Sequence, residues 1–392
     1  MYSFRNDYSE GAHPQVLQAL TDTNLVQTCG YGVDPICEEA RDLIRTVCAA
    51  PEADVHFLVG GTQTNLTVIA SLLQPYEAVI AAHTGHVNCH ETGAIEATGH
   101  KVCVETSPDG KVTPAMVEAV LARHDGTEHM VSPKMVYISD TTEIGTVYTK
   151  AELTALRRCC DEHGLLLFLD GARLGSALTS PESDLTLADL AALTDVFTIG
   201  GTKNGALFGE AVVLTVPCPH FRWHIKQRGG MLAKGRLLGV QFQALLKDDL
   251  YFDIGRHAND MAFRLRDGFK ALGYEFPVPS PSNQQFPVMK IQTAEKLAAM
   301  GFDEVMLDHC GWPGDAAGET VNGKPAGDLA QRQKTMEKFL AEVADDLQPY
   351  ETELSVRCGE AEANGEDELT GLTAALLERY TDGHPAWTRT AP

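Results

Sequence analysis

Lys203 stands just beyond an apolar run, and an amine in that position is suited to covalent chemistry. Val196, Phe197 and Ile199 lead into Gly200-Gly201-Thr202-Lys203. A run of that length bounded by glycines reads as a buried strand. An amine held directly after one is poorly hydrated, and desolvation favours the neutral, nucleophilic form that adds to carbonyl groups. A surface lysine in a glycine-rich loop fits the same residues. A second site of this kind follows Leu165–Leu169, where Asp170, Gly171, Ala172 and Arg173 come in succession. An acid just past a buried strand must be paired or hydrogen-bonded. Arg173 can be that partner; alternatively Asp170 meets a ligand cation and the Arg173 fork a ligand carboxylate. Gly60-Gly61-Thr62 forms a third, a tight turn between the strand-like Val55–Val59 and a helix over Gln63–Leu73. Unpaired amides at a helix start attract anions, and glycine lets an anion come close. The turn lacks the spacing of a P-loop. A fourth group, His83, His86, Cys89, His90 and Glu91, follows the short strand Val79–Ala82. Its spacing matches no common structural zinc pattern, so a histidine lying flat on a planar ligand is preferred to a metal site.

The elements between these groups must position them. The chain opens in extended form through Asn6, Asp7 and a turn at Glu10–Pro14. Asp34 and Pro35 start a helix whose face carries Ile36, Ala40, Leu43, Ile44 and Val47. Thr113-Pro114 starts another, and Thr149 with Glu152 makes a capping box for a helix that stops at Gly164. His129 lies just before the strand Met135–Ser139, which ends in Asp140-Thr141-Thr142-Glu143. A helix over Leu185–Leu193 leads to the lysine strand. Strands alternate with helices, which predicts an α/β architecture, a mostly parallel sheet flanked by helices. Ligands then bind beyond the carboxyl ends of the strands. Gly60–Thr62, His86, Asp140, Asp170 and Lys203 are expected on that rim. A basic segment, with Arg222, Lys226, Arg228, Lys234 and Arg236 around Gly229-Gly230, either closes the anion pocket or forms an amphipathic helix. Leu245–Leu272 reads as helix. The proline-rich FPVPSPSNQQFPV opens a second domain, giving a large domain over residues 1–250 and a smaller C-terminal α+β domain over 251–392. Residues 302–324 read as a long surface loop.

Charge narrows the partners. The 392 residues carry 54 acids against 31 bases, a net charge of −23. Residues 301–392 hold 19 acids and 7 bases, so −12 of that total sits there. Such a balance argues against nucleic acid and anionic membrane. No signal peptide is visible in MYSFRNDYSEGAHP and no apolar run is long enough to cross a bilayer. The 10 cysteines form no Cys-x-x-Cys pair. They suit reduced thiols in a core, and a cytoplasmic location is expected.

A strand-end lysine, a strand-end aspartate, an anion-binding turn, a histidine and an arginine together match the needs of pyridoxal 5'-phosphate. FLDGARLG, IGGTKNGALFGEAV, FLVGGTQTN and GHVNCHETGA, in that set, resemble the threonine aldolase (β-eliminating lyase-like) family of fold-type-I pyridoxal-phosphate enzymes over roughly residues 4–290. The resemblance implies an aspartate-aminotransferase-like fold. Lys203 is then the lysine that bonds the cofactor, Asp170 the partner of its ring nitrogen, Gly61, Thr62 and Thr202 its phosphate ligands and His86 the ring that stacks on it. Arg173 holds the substrate carboxylate, and His129 approaches the β-hydroxyl. Glu91 and Tyr31 fall at active-site positions, and Arg357 matches a second carboxylate-binding arginine. Asn6 stands where many relatives have a serine that helps hold the carboxylate.

The resemblance further implies cleavage of a β-hydroxy-α-amino acid, L-threonine or L-allo-threonine in type, to glycine and an aldehyde. His86 or His129 is the expected base. A homodimer or homotetramer is expected as well. A β-eliminating lyase or aminotransferase on the same scaffold is the alternative, since the fold does not choose among bond cleavages. A weakly active regulatory protein and a zinc hydrolase centred on His83–His90 are more distant ones.

Overall fold

The computed structural model describes residues 6–290 and, as backbone, Tyr2–Ser3, Phe302–Asp303 and Arg357–Gly359. In chain order the strands are β1 (Tyr2–Ser3), β2 (Asp54–Leu58), β3 (Glu77–Ala82), β4 (Val102–Glu105), β5 (Ser132–Ser139), β6 (Leu166–Asp170), β7 (Val196–Gly200), β8 (Glu210–Leu214), β9 (Val288–Lys290), β10 (Phe302–Asp303) and β11 (Arg357–Gly359). Contacts divide the chain into two compact units. One holds Tyr8–Asn259 with Val278–Asn283; the other holds Met1–Asp7, Asp260–Pro277 and Gln284–Pro392.

The first unit is built on a seven-stranded sheet in the order β2-β8-β7-β6-β5-β3-β4. Neighbours pair in parallel from β4 through β3, β5 and β6 to β7, and β8 alone runs against both β7 and β2. Consequently β2 points the same way as the parallel strands. The expected mostly parallel sheet with flanking helices is present. Every residue of β7 and β8 is buried, as continuous apolar runs in a sheet covered on both faces should be.

Local chemistry explains most element ends. Asp34 accepts from the Cys37 amide at 3.0 Å and Pro35 takes the first helical position, so the helix Pro35–Val47 starts there. Thr149 and Glu152 cap Lys150–His163 reciprocally, and Gly164, at φ 63°, ends it in the left-handed region. Two elements add to the expectation. Pro14–Asp22, after the expected turn, is helical, because Pro14 suits a first turn and His13 Nδ1 accepts from the Gln15 amide. The basic segment is two helices, Phe221–Gln227 and Arg236–Leu246, separated where Gly229 takes φ 75°.

In the second unit β1 pairs with β10 and β9 with β11, both in parallel, and Arg357 lies opposite Val288. Arg357 is thus described as strand backbone; its side chain and the rest of the loop expected over residues 302–324 lie outside the described residues.

Candidate active site

Strand polarity decides which ends meet. Because β2, β3, β5, β6 and β7 share one direction, Gly60–Thr62, His86, Asp140, Asp170 and Lys203 all follow carboxyl ends on one rim. The β6 and β7 ends nest backbone to backbone: the Gly200 amide donates to the Gly171 carbonyl at 2.9 Å, and the Gly171 amide to Thr198 Oγ1 at 2.8 Å. A side chain at Gly171 would run into the Thr198 carbonyl, and one at Gly200 into the carbonyls of Gly171 and Ala172. Glycine is what permits the approach.

Asp170 is the centre of the rim. It is buried, its Oδ2 accepts from Tyr137 Oη at 2.6 Å and from Asn65 Nδ2 at 2.8 Å, and its Oδ1 accepts from the Ala172 amide at 2.9 Å. Only donors face this carboxyl in these bonds, so it serves as an acceptor. Asn65, on the helix Gly61–Leu72, also donates to Glu91 Oε1 at 2.7 Å, and His86 Nδ1 donates to the same oxygen at 2.8 Å. Asp170, Asn65, Glu91 and His86 thus form one continuous chain. Burial disfavours the charged form of His86, but the hydrogen bond to Glu91 and the charges of Glu143, Asp170 and Glu91 outweigh it and raise its pKa. Burial, then the fields of Asp170, Glu91 and Glu143, push the Tyr137 phenol well above its ordinary value, which keeps it a donor. Sequence reasoning missed Asn65 and Tyr137. Asn65 is a buried polar residue one turn before Val68 and Ile69, and that was the available signal.

Lys203 sits half-buried in the turn after β7, with Nζ 5.7 Å from the centre of the Tyr8 ring. Beneath it, Glu210 is buried; burial and the Asp170 charge push its carboxyl up to about 8, against the pull of Thr202 and Lys203. Thr202 Oγ1 donates to Glu210 Oε1 at 3.1 Å and accepts from the Gly209 amide at 3.0 Å. Its hydroxyl is thereby committed inside the turn, not offered as a phosphate ligand. Gly61 and Thr62 open the helix after β2, and a Cβ built on Gly60 or Gly61 meets nothing within 4 Å. That open space fronts the first-turn amides, which have no partners within the helix. Gln63 Nε2 donates to the Arg228 carbonyl at 3.0 Å, so the break in the basic segment lies against this opening.

Arg173 is buried, with Nη1 4.0 Å from Glu143 Oε2. Two expected residues, His129 and Tyr31, are not brought to the cluster. His129 is exposed and precedes the amino end of β5, the far edge of the sheet from Asp170. Eight residues of strand separate the two edges by roughly 26 Å at about 3.3 Å per residue. Within this chain His129 is therefore no base for chemistry at Asp170. Tyr31, at φ 63°, lines a different cleft of about 350 Å³ with Arg41, His56 and Arg222, and Lys226 Nζ lies 4.9 Å from its ring centre. Asp140 is on the rim, but its carboxyl turns to the Tyr148 amide at 3.4 Å, and burial pushes it up to about 8. Asn6 belongs to the other compact unit. His83 is occupied structurally, its Nδ1 accepting from the Ser107 amide at 3.1 Å.

The residues present fit pyridoxal phosphate. An acceptor carboxylate, an amine and an anion-ready helix start share one rim, and Asn65 Oδ1, Glu91 Oε2 and Thr84 Oγ1 are buried there without partners among the described residues.

Known proteins resemble the chain in sequence and in fold. The profile of the β-eliminating lyase family matches residues 4–292. A profile described as a putative glycosyl hydrolase domain matches residues 253–382, less than half of the chain. A threonine aldolase structure from Leishmania major superposes with a TM-score of 0.79 at 47% identity, covering 88% of this chain and 100% of its own. A low specificity L-threonine aldolase of Pseudomonas aeruginosa is 31% identical over 304 residues, 76% of this chain and 87% of its own. Aspartate aminotransferase from Thermus thermophilus, at 18% identity, a TM-score of 0.59 and coverage of 77% and 82%, shares the fold.

Proposed function

The chain belongs to the β-eliminating lyase family, and from that premise we propose that it is a pyridoxal-phosphate aldolase cleaving a β-hydroxy-α-amino acid of the L-threonine type to glycine and an aldehyde. The observation that carries this reading is the convergence of Lys203 with the Asp170–Asn65–Glu91–His86 chain on one rim. The names of the Leishmania and Pseudomonas relatives support it.

Pyridoxal phosphate, when bound, supplies an aldehyde for amines and a ring that accepts an electron pair. Lys203 would hold it through Nζ, Asp170 through the ring nitrogen, and the Gly61 and Thr62 amides through the phosphate. Tyr137 and Asn65 keep the Asp170 carboxylate aimed and desolvated. His86, tethered by Glu91, would stack on the ring, and the surrounding carboxylates raise its pKa. Arg173 offers its guanidinium fork to the substrate carboxylate. Tyr31 and the basic segment are proposed as part of an interface between copies of the chain. Val33, Trp223 and Leu25 are exposed near them, apolar surface that a homodimer or homotetramer would cover.

Borohydride reduction of the cofactor-loaded protein, followed by peptide mass analysis, tests the cofactor assignment. The added mass is expected on the peptide containing Lys203. Its appearance on another lysine overturns the assignment.

A further inference from the structure

Arg173 has an acid beside it that the cofactor does not need. Glu143 follows β5 on the rim, its side chain only 15% exposed and Oε2 4.0 Å from Arg173 Nη1. With Thr84, Gly85, Tyr137 and Thr142 it lines a small open pocket, and Gly85 leads directly into His86. The Thr84 hydroxyl in that wall is buried without a hydrogen-bond partner among the described residues. The charge of Glu143 is felt at both His86 and Tyr137, which places it inside the cluster's field.

A substrate whose amine goes to the cofactor and whose carboxylate goes to Arg173 must send its Cβ substituent elsewhere. The polar pocket walled by Glu143, the neighbour of Arg173, lies within reach, and its wall offers a carboxylate and an unpartnered hydroxyl, groups that bind a hydroxyl and not an alkyl chain. A base is needed there, and neither expected histidine of this chain lines that wall. His129 is at the opposite edge of the sheet. His86 spends Nδ1 on Glu91 and is held toward its protonated form by the surrounding carboxylates.

We propose that Glu143 is the catalytic base that accepts the substrate's β-hydroxyl proton, an inference that rests on the aldolase reading above. The hydroxyl O–H bond breaks, its proton goes to the Glu143 carboxylate and its electron pair becomes the second bond of the aldehyde C=O. The Cα–Cβ bond breaks at the same time and leaves its pair on Cα. One proton added at Cα completes glycine, and the proton taken by Glu143 balances it, so no co-reactant is required.

The test compares cofactor-loaded wild type, Glu143→Gln and Glu143→Asp in two assays. One is cleavage of L-threonine. The other is exchange of the glycine α-hydrogen for deuterium in heavy water, which uses the same cofactor site but involves no β-hydroxyl. Loss of a general base typically lowers a rate by about 10²- to 10⁴-fold. Glu143→Gln is expected to lose cleavage kcat by about 100-fold or more, while KM does not rise because Arg173 no longer shares its charge with Glu143. Glycine exchange is expected to stay within about threefold of wild type, and Glu143→Asp to recover part of the cleavage rate. Cleavage by Glu143→Gln at near wild-type rate, or equal loss of both activities, overturns the proposal. A wild type that exchanges glycine but cleaves no β-hydroxy amino acid defeats the aldolase reading itself, and the proposal with it.

Discussion

At the scale of single residues, Asn65 does more than its sequence position suggests. Its amide donates at once to Asp170 and Glu91, so one side chain fixes the acid proposed for the cofactor's ring nitrogen and the acid that tethers His86. Removing it leaves two buried carboxylates each short of a donor. A lost hydrogen bond to a buried group of this kind costs about 1–3 kcal/mol. Asn65→Ala is therefore expected to lower the denaturant midpoint by that free energy at unchanged slope, and to weaken pyridoxal phosphate binding. An unchanged midpoint contradicts the role. Glu210 gives a pH test. Its folded pKa of about 8 stands above the ordinary 4.5, so between those values the folded chain holds a proton that the unfolded chain has released. Its contribution to stability is thus full below pH 4.5 and is lost as pH rises through about 8. Asp140, also pushed up to about 8, adds to the same slope. Thermal melts across that window are expected to show a shallower fall for Glu210→Gln than for wild type; parallel curves contradict it.

At the scale of elements, the rim works because short turns leave parallel strands side by side. The apolar runs ending in Asp170 and Lys203 were legible in the sequence, since a fully buried strand followed at once by a polar residue has few other readings. So were the glycine turn and the capped helices. The reversed strand β8 was not, because Glu210–Leu214 follows a glycine-rich turn and nothing local marks its direction. Tyr137 looked like core, and its hydroxyl gains meaning only from the neighbouring Asp170. His129 shows the opposite case: the rule that ligands bind beyond carboxyl ends already spoke against a residue lying before its strand. Glu143 was visible as part of a strand's polar end, but only the fold sets it beside Arg173. The nesting of β6 and β7 makes a sharp prediction. Gly171→Ala forces a side chain into the Thr198 carbonyl, an overpacking that typically costs about 1–3 kcal/mol. Its melting temperature is expected to fall, with the cofactor lost more readily; a melting temperature equal to wild type contradicts the close fit.

At the scale of the molecule, family, fold and rim agree, while the acidic surplus of the last quarter has no assigned role. The exposed apolar residues near Tyr31 bear on assembly. Sedimentation of the cofactor-loaded protein is expected to give a dimer or larger species, and a fully active monomer contradicts that. The central claim is chemical, and one measurement reaches it directly. Purified protein with pyridoxal phosphate is incubated separately with L-threonine and L-allo-threonine, with Lys203→Ala as the control, and the products are identified. Glycine and acetaldehyde in equal amounts, absent from the control, are the expected result. Oxobutyrate and ammonia in their place, or cleavage that survives in Lys203→Ala, contradicts the account.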